Sequence, residues 1–401
     1  MVKKKINNQH NRINIFALAA TGSGISGGDR IFIEFARRWS REIPVTIYLS
    51  QEGREMCRRQ NLNLSNIKYQ ISNIKKKIFF INYIEQILSG IKIGLTLKLE
   101  NSKDIIIYSA SEFWMDSLPA FFLKLRFPKI KWAAAWYQTA PNPLKGFSEG
   151  EAGRRNRPRA FIYWLIQLPV KPLISGFADY VLVNNDGEKK QFPGLNKKDR
   201  VIVVLGAVDL AGINKWRSKF RNMPKIYEAV FQGRFHPQKG VMELIDIWKH
   251  VVAKKPDAKL VMIGDGPLKK NVELRIKNLE LNNNIIPKGY LFDGEEKYKI
   301  FAQSRIVVHP AFFDSGGMAS AEAMAFGLPC VGFNLMAYKY YYPEGMEKVR
   351  EGDLEAFADK VEELLQDDNL YKKVANEALH LIGDKWSWEY RARQILNAVL
   401  E

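Results

Sequence analysis

The chain has 401 residues, 46% apolar and 26% charged, enough for two domains and too apolar for wholesale disorder. Its two cysteines, Cys57 and Cys330, support neither a disulfide framework nor a cysteine metal site, and suit a reducing compartment. The net charge of +18 is uneven: residues 1–200 hold 33 Lys and Arg against 16 Asp and Glu, residues 201–401 hold 28 against 27. The basic half is either a solvated cationic face or a surface that meets phosphates of lipid or nucleic acid.

The N-terminus is basic and polar, and the short apolar run over 13–20 leads into glycines, so no signal peptide is expected. No stretch reaches roughly 18–20 uninterrupted apolar residues, the length of a spanning helix. The expected location is cytoplasmic, with a peripheral position on the membrane's inner face left open.

A buried strand is predicted over 13–18, then a glycine loop over 21–28 and a helix carrying Ile31, Phe32, Phe35, Ala36 and Trp39 on one face. Strands at 45–49, 105–108, 132–136, 180–183 and 201–204 follow, with helical segments between them. The crossing into a second domain falls near 206–209. There the alternation restarts: strands at 229–231, 259–263, 306–308 and 329–332, helices at 241–252, 267–278 and 319–325. Helices at 354–366, 370–381 and 386–400 close the chain. Such alternation predicts parallel, doubly wound α/β sheets, whose ligands bind beyond the carboxyl ends of the strands.

Three segments of the second half carry candidate chemistry. In the first, Gly233-Arg234-Phe235-His236-Pro237-Gln238-Lys239-Gly240 follows a strand and opens a helix. Arg234 offers a planar fork and Lys239 a point charge, suited to a diphosphate, although each alone reads equally as a solvated surface cation. In the second, Gly264-Asp265-Gly266-Pro267 follows the next strand and permits close approach of a flat group, or is simply a turn. In the third, Asp314-Ser315-Gly316-Gly317-Met318 leads into a helix with Glu322. Eight residues is about two turns, so both carboxylates are expected on one face of that helix, about 12 Å apart by its rise. Taken alone, Asp314 also reads as an ordinary N-cap.

In order, spacing and context, residues 230–333 resemble glycosyltransferase family 4, the retaining GT-B enzymes also known as glycosyl transferases group 1. The resemblance implies two Rossmann-like domains facing across a cleft: an acceptor-binding domain over 1–204 and a nucleotide-sugar-binding domain over 205–383. A C-terminal helix over 384–401 would return to the first domain. It assigns Asp314 to the transferred sugar, Glu322 to the nucleotide ribose, and Arg234 and Lys239 to the leaving diphosphate. Gly27 and Gly28 correspond to the family's N-terminal glycine loop. Gly233, Gly264, Asp265, Gly266, Gly289, Ser315, Gly316, Gly317 and Met318 complete the substrate-binding set. Three departures stand out: Asp314 replaces the usual Glu, Ser315-Gly316-Gly317 replaces a Gly-Phe-Gly-like loop, and Gln138 stands where a His is common.

The expected partners are a nucleotide-diphosphate sugar donor and a saccharide or lipid-linked acceptor, with no nucleic acid, no cofactor and no essential metal. No carboxylate stands out as a covalent nucleophile, so same-face attack assisted by the leaving phosphate is expected. A degenerate sugar-nucleotide binder is the alternative. Gly22-x-Gly24-x-x-Gly27 formally fits a dehydrogenase fingerprint, but Ala19-Ala20-Thr21 intervenes after the strand. The Walker pattern fails because Asp29 stands where its lysine belongs.

Basic residues adjoin aromatic ones twice, at Lys75-Lys76-Lys77 before Ile78-Phe79-Phe80 and at Arg154–Arg159 before Phe161-Ile162-Tyr163-Trp164. These aromatics are either core or part of a face for anionic lipid. Tyr338–Pro343 reads as a surface loop or as packing.

Overall fold

The computed structural model describes residues 12–21, 25–72, 79–100, 102–148, 155–204, 206–314 and 318–400. Two compact units emerge. The first comprises Met1–Pro143, Ala160–Gly206 and Glu389–Glu401, the second Leu144–Arg159 and Ala207–Trp388.

The strands of the first unit are β1 (Arg12–Ala17), β2 (Val45–Ser50), β3 (Ile67–Ser72), β4 (Ile105–Ser109) and β5 (Lys131–Trp136). A two-residue ribbon, β6 (Phe147–Ser148) with β7 (Arg155–Asn156), belongs to the second unit; β8 (Tyr180–Val183) and β9 (Val201–Val203) complete the first sheet. That sheet is parallel throughout, in the order β3-β2-β1-β4-β5-β8-β9. Its central strands are buried on both faces, which is why they read as unbroken apolar runs.

The second sheet contains β10 (Tyr227–Gln232), β11 (Leu260–Ile263), β12 (Ile285–Gly289), β13 (Ser304–His309), β14 (Cys330–Phe333) and β15 (Met346–Val349). It is also parallel, in the order β12-β11-β10-β13-β14-β15. Both sheets are doubly wound, as the alternation predicts. The alternation did not reveal β3, β12 and β15, all of which lie at sheet edges.

One placement differs from the sequence boundaries, and the C-terminal helix returns to the first unit. Residues 144–159 stand apart from the first unit, and within the second the Arg159 guanidinium approaches His236 Nε2 at 3.2 Å. The last helix, Trp388–Leu400, packs in the first unit from Glu389 onward. There the Trp39 indole donates to the Ala392 carbonyl at 2.8 Å, and Lys131 donates to the carbonyls of Val399 and Leu400.

Candidate active site

The second sheet winds outward from β10 through β11 to β12, then returns to place β13 on the other side of β10. The strand order thus reverses between β10 and β13, and in open α/β sheets ligands bind beyond the carboxyl ends of the strands at such a switch point. Gln232 ends β10 and His309 ends β13.

The loop after β10 runs through Gly233, Arg234 and His236 into a 3-10 turn, Pro237–Lys239. Gly240 then takes φ +62° before the helix Val241–Lys254, and a Cβ there would lie 1.9 Å from the Pro310 carbonyl oxygen. Only glycine fits where the β10 and β13 loops meet backbone to backbone. The neighbouring loops are stitched to the same rim: Phe235 N–H donates to Asp265 O, Leu268 N–H to Phe235 O and Gly264 N–H to Gly289 O. Arg234 is exposed on this rim, and the Asp265 carboxylate accepts from the Gly266 N–H.

Asp314 is the centre of one charged cluster. Its Oδ2 accepts from His309 Nε2 at 2.8 Å and Tyr338 OH at 3.1 Å, and pairs with Lys239 Nζ at 3.0 Å. Burial pulls the His309 pKa below its ordinary value, against the hydrogen bond and charge of Asp314. Burial also pushes the Tyr338 phenol well up, and the Asp314 charge adds to it. An imidazole, a phenol and an ammonium thus converge on one carboxylate oxygen.

Glu322 is the centre of a second cluster. Its Oε2 accepts from Gln232 Nε2 at 2.8 Å and from Lys297 Nζ at 2.5 Å. Lys297 is buried and also reaches Asp293 Oδ1 at 2.6 Å. Burial alone would lower the Lys297 pKa, but the charges and hydrogen bonds of Glu322 and Asp293 overcome it and leave it raised.

Asp314 does not share a helical face with Glu322. The helix is Met318–Met324, so Asp314 precedes it and is placed by the contacts of its own loop. Ser315, Gly316 and Gly317 lie outside the described residues, while Met318 is half-buried at the helix start. The sequence reading treated Asp314 and Lys239 separately, and the structure brings them together. It overlooked His309, Tyr338, Lys297 and Gln232. Far from being a surface loop, Tyr338, Tyr341 and Tyr342 are fully buried.

In the first unit, Gly27 opens the helix Gly27–Trp39, capped reciprocally by Ser26 and Asp29. The Asp that defeats the Walker pattern is thus a capping residue. Gly22 and Gly24 lie outside the described residues. A Cβ on Gly28 would stand 3.5 Å from the Tyr137 ring, and Gln138 follows next in the chain, its carbonyl accepting from Gln167 Nε2 at 2.5 Å. At this sheet's own switch point, between β1 and β4, sits the buried Asp116, which accepts from Ala19 N–H at 3.1 Å and Ser111 Oγ at 2.5 Å. Burial pushes its pKa up to about 7. Nearby Glu112 accepts from Tyr163 OH at 2.6 Å and is likewise raised by burial. Neither carboxylate was singled out from sequence.

Two parallel doubly wound domains, with charged clusters at the second domain's switch point, define a GT-B-type α/β protein. The fold matches Anabaena HepE in complex with UDP and glucose at TM-score 0.69, with 14% identity, covering 98% of this chain and all of that one. Sucrose-phosphate synthase from Thermosynechococcus elongatus matches at TM-score 0.69 and 16% identity, over 97% of this chain and 98% of that one. Residues 212–380, within the second unit, match the family model of glycosyl transferases group 1.

Among curated relatives, an uncharacterized glycosyltransferase of Methanocaldococcus jannaschii is 26% identical over 47% of this chain and 45% of its own length. The capsular polysaccharide biosynthesis glycosyltransferase CapM of Staphylococcus aureus is 24% identical over 58% of this chain and 64% of its own. The poly(ribitol-phosphate) α-N-acetylglucosaminyltransferase of Staphylococcus aureus strain COL is 26% identical over 52% of this chain and 45% of its own. The chain thus spans about half the length of the curated relatives it matches.

Proposed function

We propose that this protein is a retaining glycosyltransferase, moving a hexose from a nucleotide-diphosphate sugar to a saccharide or lipid-linked acceptor in cell-surface glycan synthesis. The observation that carries the proposal is the pairing at the β10/β13 switch point. Lys239 of the β10 loop is paired with Asp314 of the β13 loop, Arg234 is exposed on the same β10 loop, and Glu322 is held by Gln232 at the end of β10 and by the buried Lys297. The curated relatives act on capsular polysaccharide and poly(ribitol-phosphate) by their names, which supports a cell-surface glycan as product.

In this reading negative charge grows on the diphosphate as the glycosidic bond breaks. Arg234 and Lys239 meet that charge, each worth about 3–4 kcal/mol of barrier if it is a well-placed donor. Asp314, held by three donors through one oxygen, orients a hydroxyl of the transferred sugar, and Glu322 takes the ribose. The acceptor attacks from the face the phosphate leaves, and a phosphate oxygen takes its proton. These cations fill the role a divalent metal would otherwise have, and the reaction is cytoplasmic.

The test is a panel of UDP-, GDP-, ADP- and dTDP-sugars read by thermal shift with and without chelator, followed by NMR of the product anomer. One nucleotide class stabilising the protein, indifferent to chelator and lost in Glu322→Ala, supports the reading. An inverted product overturns retention, and loss of activity with chelator overturns metal independence.

A further inference from the structure

The helix Arg157–Phe177 is apolar on its outer side as well as its inner one. Its buried residues, Ala160, Gln167, Val170 and Ile174, pack inward, and Val170 and Ile174 join the core of the first sheet. Phe161, Leu165 and Leu168 are 51%, 51% and 49% exposed, and with Trp164 they form one outward stripe. No charged residue interrupts the ten positions from Phe161 to Val170.

A second stripe runs along Phe79–Thr96. Ile81, Ile84, Leu88 and Leu95 face outward at helical spacing, with Leu88 59% exposed. The helix Trp114–Arg126 lies between the two. A Cβ at Gly90 would stand 2.7 Å from Met115 O and one at Gly94 2.9 Å from Pro119 Cα, so the stripe's inner side packs flush on it. On its other side the Trp114 indole donates to Ile166 O at 2.6 Å, and the rings of Phe121 and Phe177 meet at 4.9 Å. All three helices cover the same core cluster, so both stripes belong to one face of the first unit.

The cations suit one kind of occupant. Lys92, Lys98 and Lys129 are exposed on or beside these helices, in the half of the chain that carries 33 basic against 16 acidic residues. We propose that this three-helix face docks the protein on an anionic lipid bilayer, lying in the interface with aromatic and aliphatic side chains immersed and cations at the headgroups. The Arg157–Phe177 helix is long and apolar enough to cross a membrane by length and composition. It does not do so here, because it joins β5 to β8 of one sheet and its inner residues are core. A second copy of the chain would bury the apolar stripes equally well but would set like charges against each other.

The experiment is flotation of the full chain with phosphatidylcholine vesicles, with and without phosphatidylglycerol, compared with Leu165→Glu/Leu168→Glu and Leu88→Glu. These side chains are exposed, so an unchanged melting temperature and unchanged sugar-nucleotide binding separate the docking face from the donor site. Recovery with anionic vesicles alone, weakened by salt and reduced at least about tenfold in both variants, is expected. Equal recovery of wild type and variants, or none with anionic vesicles, overturns the proposal. So does a wild-type dimer that the variants convert to monomer without any vesicle binding.

Discussion

The ammonium of Lys239 lies 3.0 Å from Asp314 Oδ2, so the cation of the β10 loop and the acid of the β13 loop share one ion pair. On the proposed reading, a donor arriving here meets a lysine already oriented by that carboxylate. Lys239→Met is expected to lower kcat by about 10²–10³ while leaving the fold in place, checked by steady-state kinetics alongside circular dichroism.

Arg234 is exposed, so its removal costs the fold little. Arg234→Ala is expected to change stability by no more than about 0.5 kcal/mol and to lower kcat by about 10²–10³. Activity retained in this variant would sink the leaving-group role.

Lys297 neutralises two carboxylates at once. Lys297→Met leaves Glu322 and Asp293 without it, and a loss of about 3–5 kcal/mol is expected in chemical denaturation. Adding Glu322→Gln should recover part of it; a double variant no better than the single would show that the pairing is not the cause.

The pKa of His309 is depressed in the fold, so the unfolded chain takes up its proton first as pH falls. The associated stability is present above pH about 6.5 and is lost as pH falls through the lower folded value. Asp116 has the opposite sign: with a folded pKa of about 7, its contribution is present below its unfolded value and is lost as pH rises towards 7. Melting temperatures from pH 5 to 8 should therefore fall less steeply on acidification in His309→Gln, and less steeply on alkalinisation in Asp116→Asn.

Gly240 joins a left-handed backbone to a 1.9 Å Cβ clash. Gly240→Ala is expected to destabilise by at least about 3 kcal/mol, read from the denaturation midpoint.

The sequence exposed what depends on local pattern. Central strands such as β4 and β10 are apolar runs between turn residues, and Arg234, Lys239, Asp314 and Glu322 stand in a spaced motif. Edge strands left weaker traces: β12 contains Pro287, tolerated because an edge strand need not donate on both sides. The partners of the acids were hidden for a different reason. Lys297 sits in EEKYKIFAQ, which reads as a solvated helix, and nothing local says that this lysine is buried. His309 and Gln232 become neighbours of the acids because their strands are adjacent in the sheet, a relation no short window contains.

Gln167 occupies the inner side of the helix whose outer side is apolar, and holds Ala140 N–H at 2.8 Å and the Gln138 carbonyl at 2.5 Å. If the docking proposal holds, the lipid-facing stripe and the hold on the Gln138 carbonyl are two sides of one helix. An enzyme parked this way searches for a lipid-linked acceptor in two dimensions. Its half-saturation would follow the number of acceptors per area of bilayer, and diluting the acceptor among inert lipid would slow the enzyme even when the total amount in the tube is unchanged.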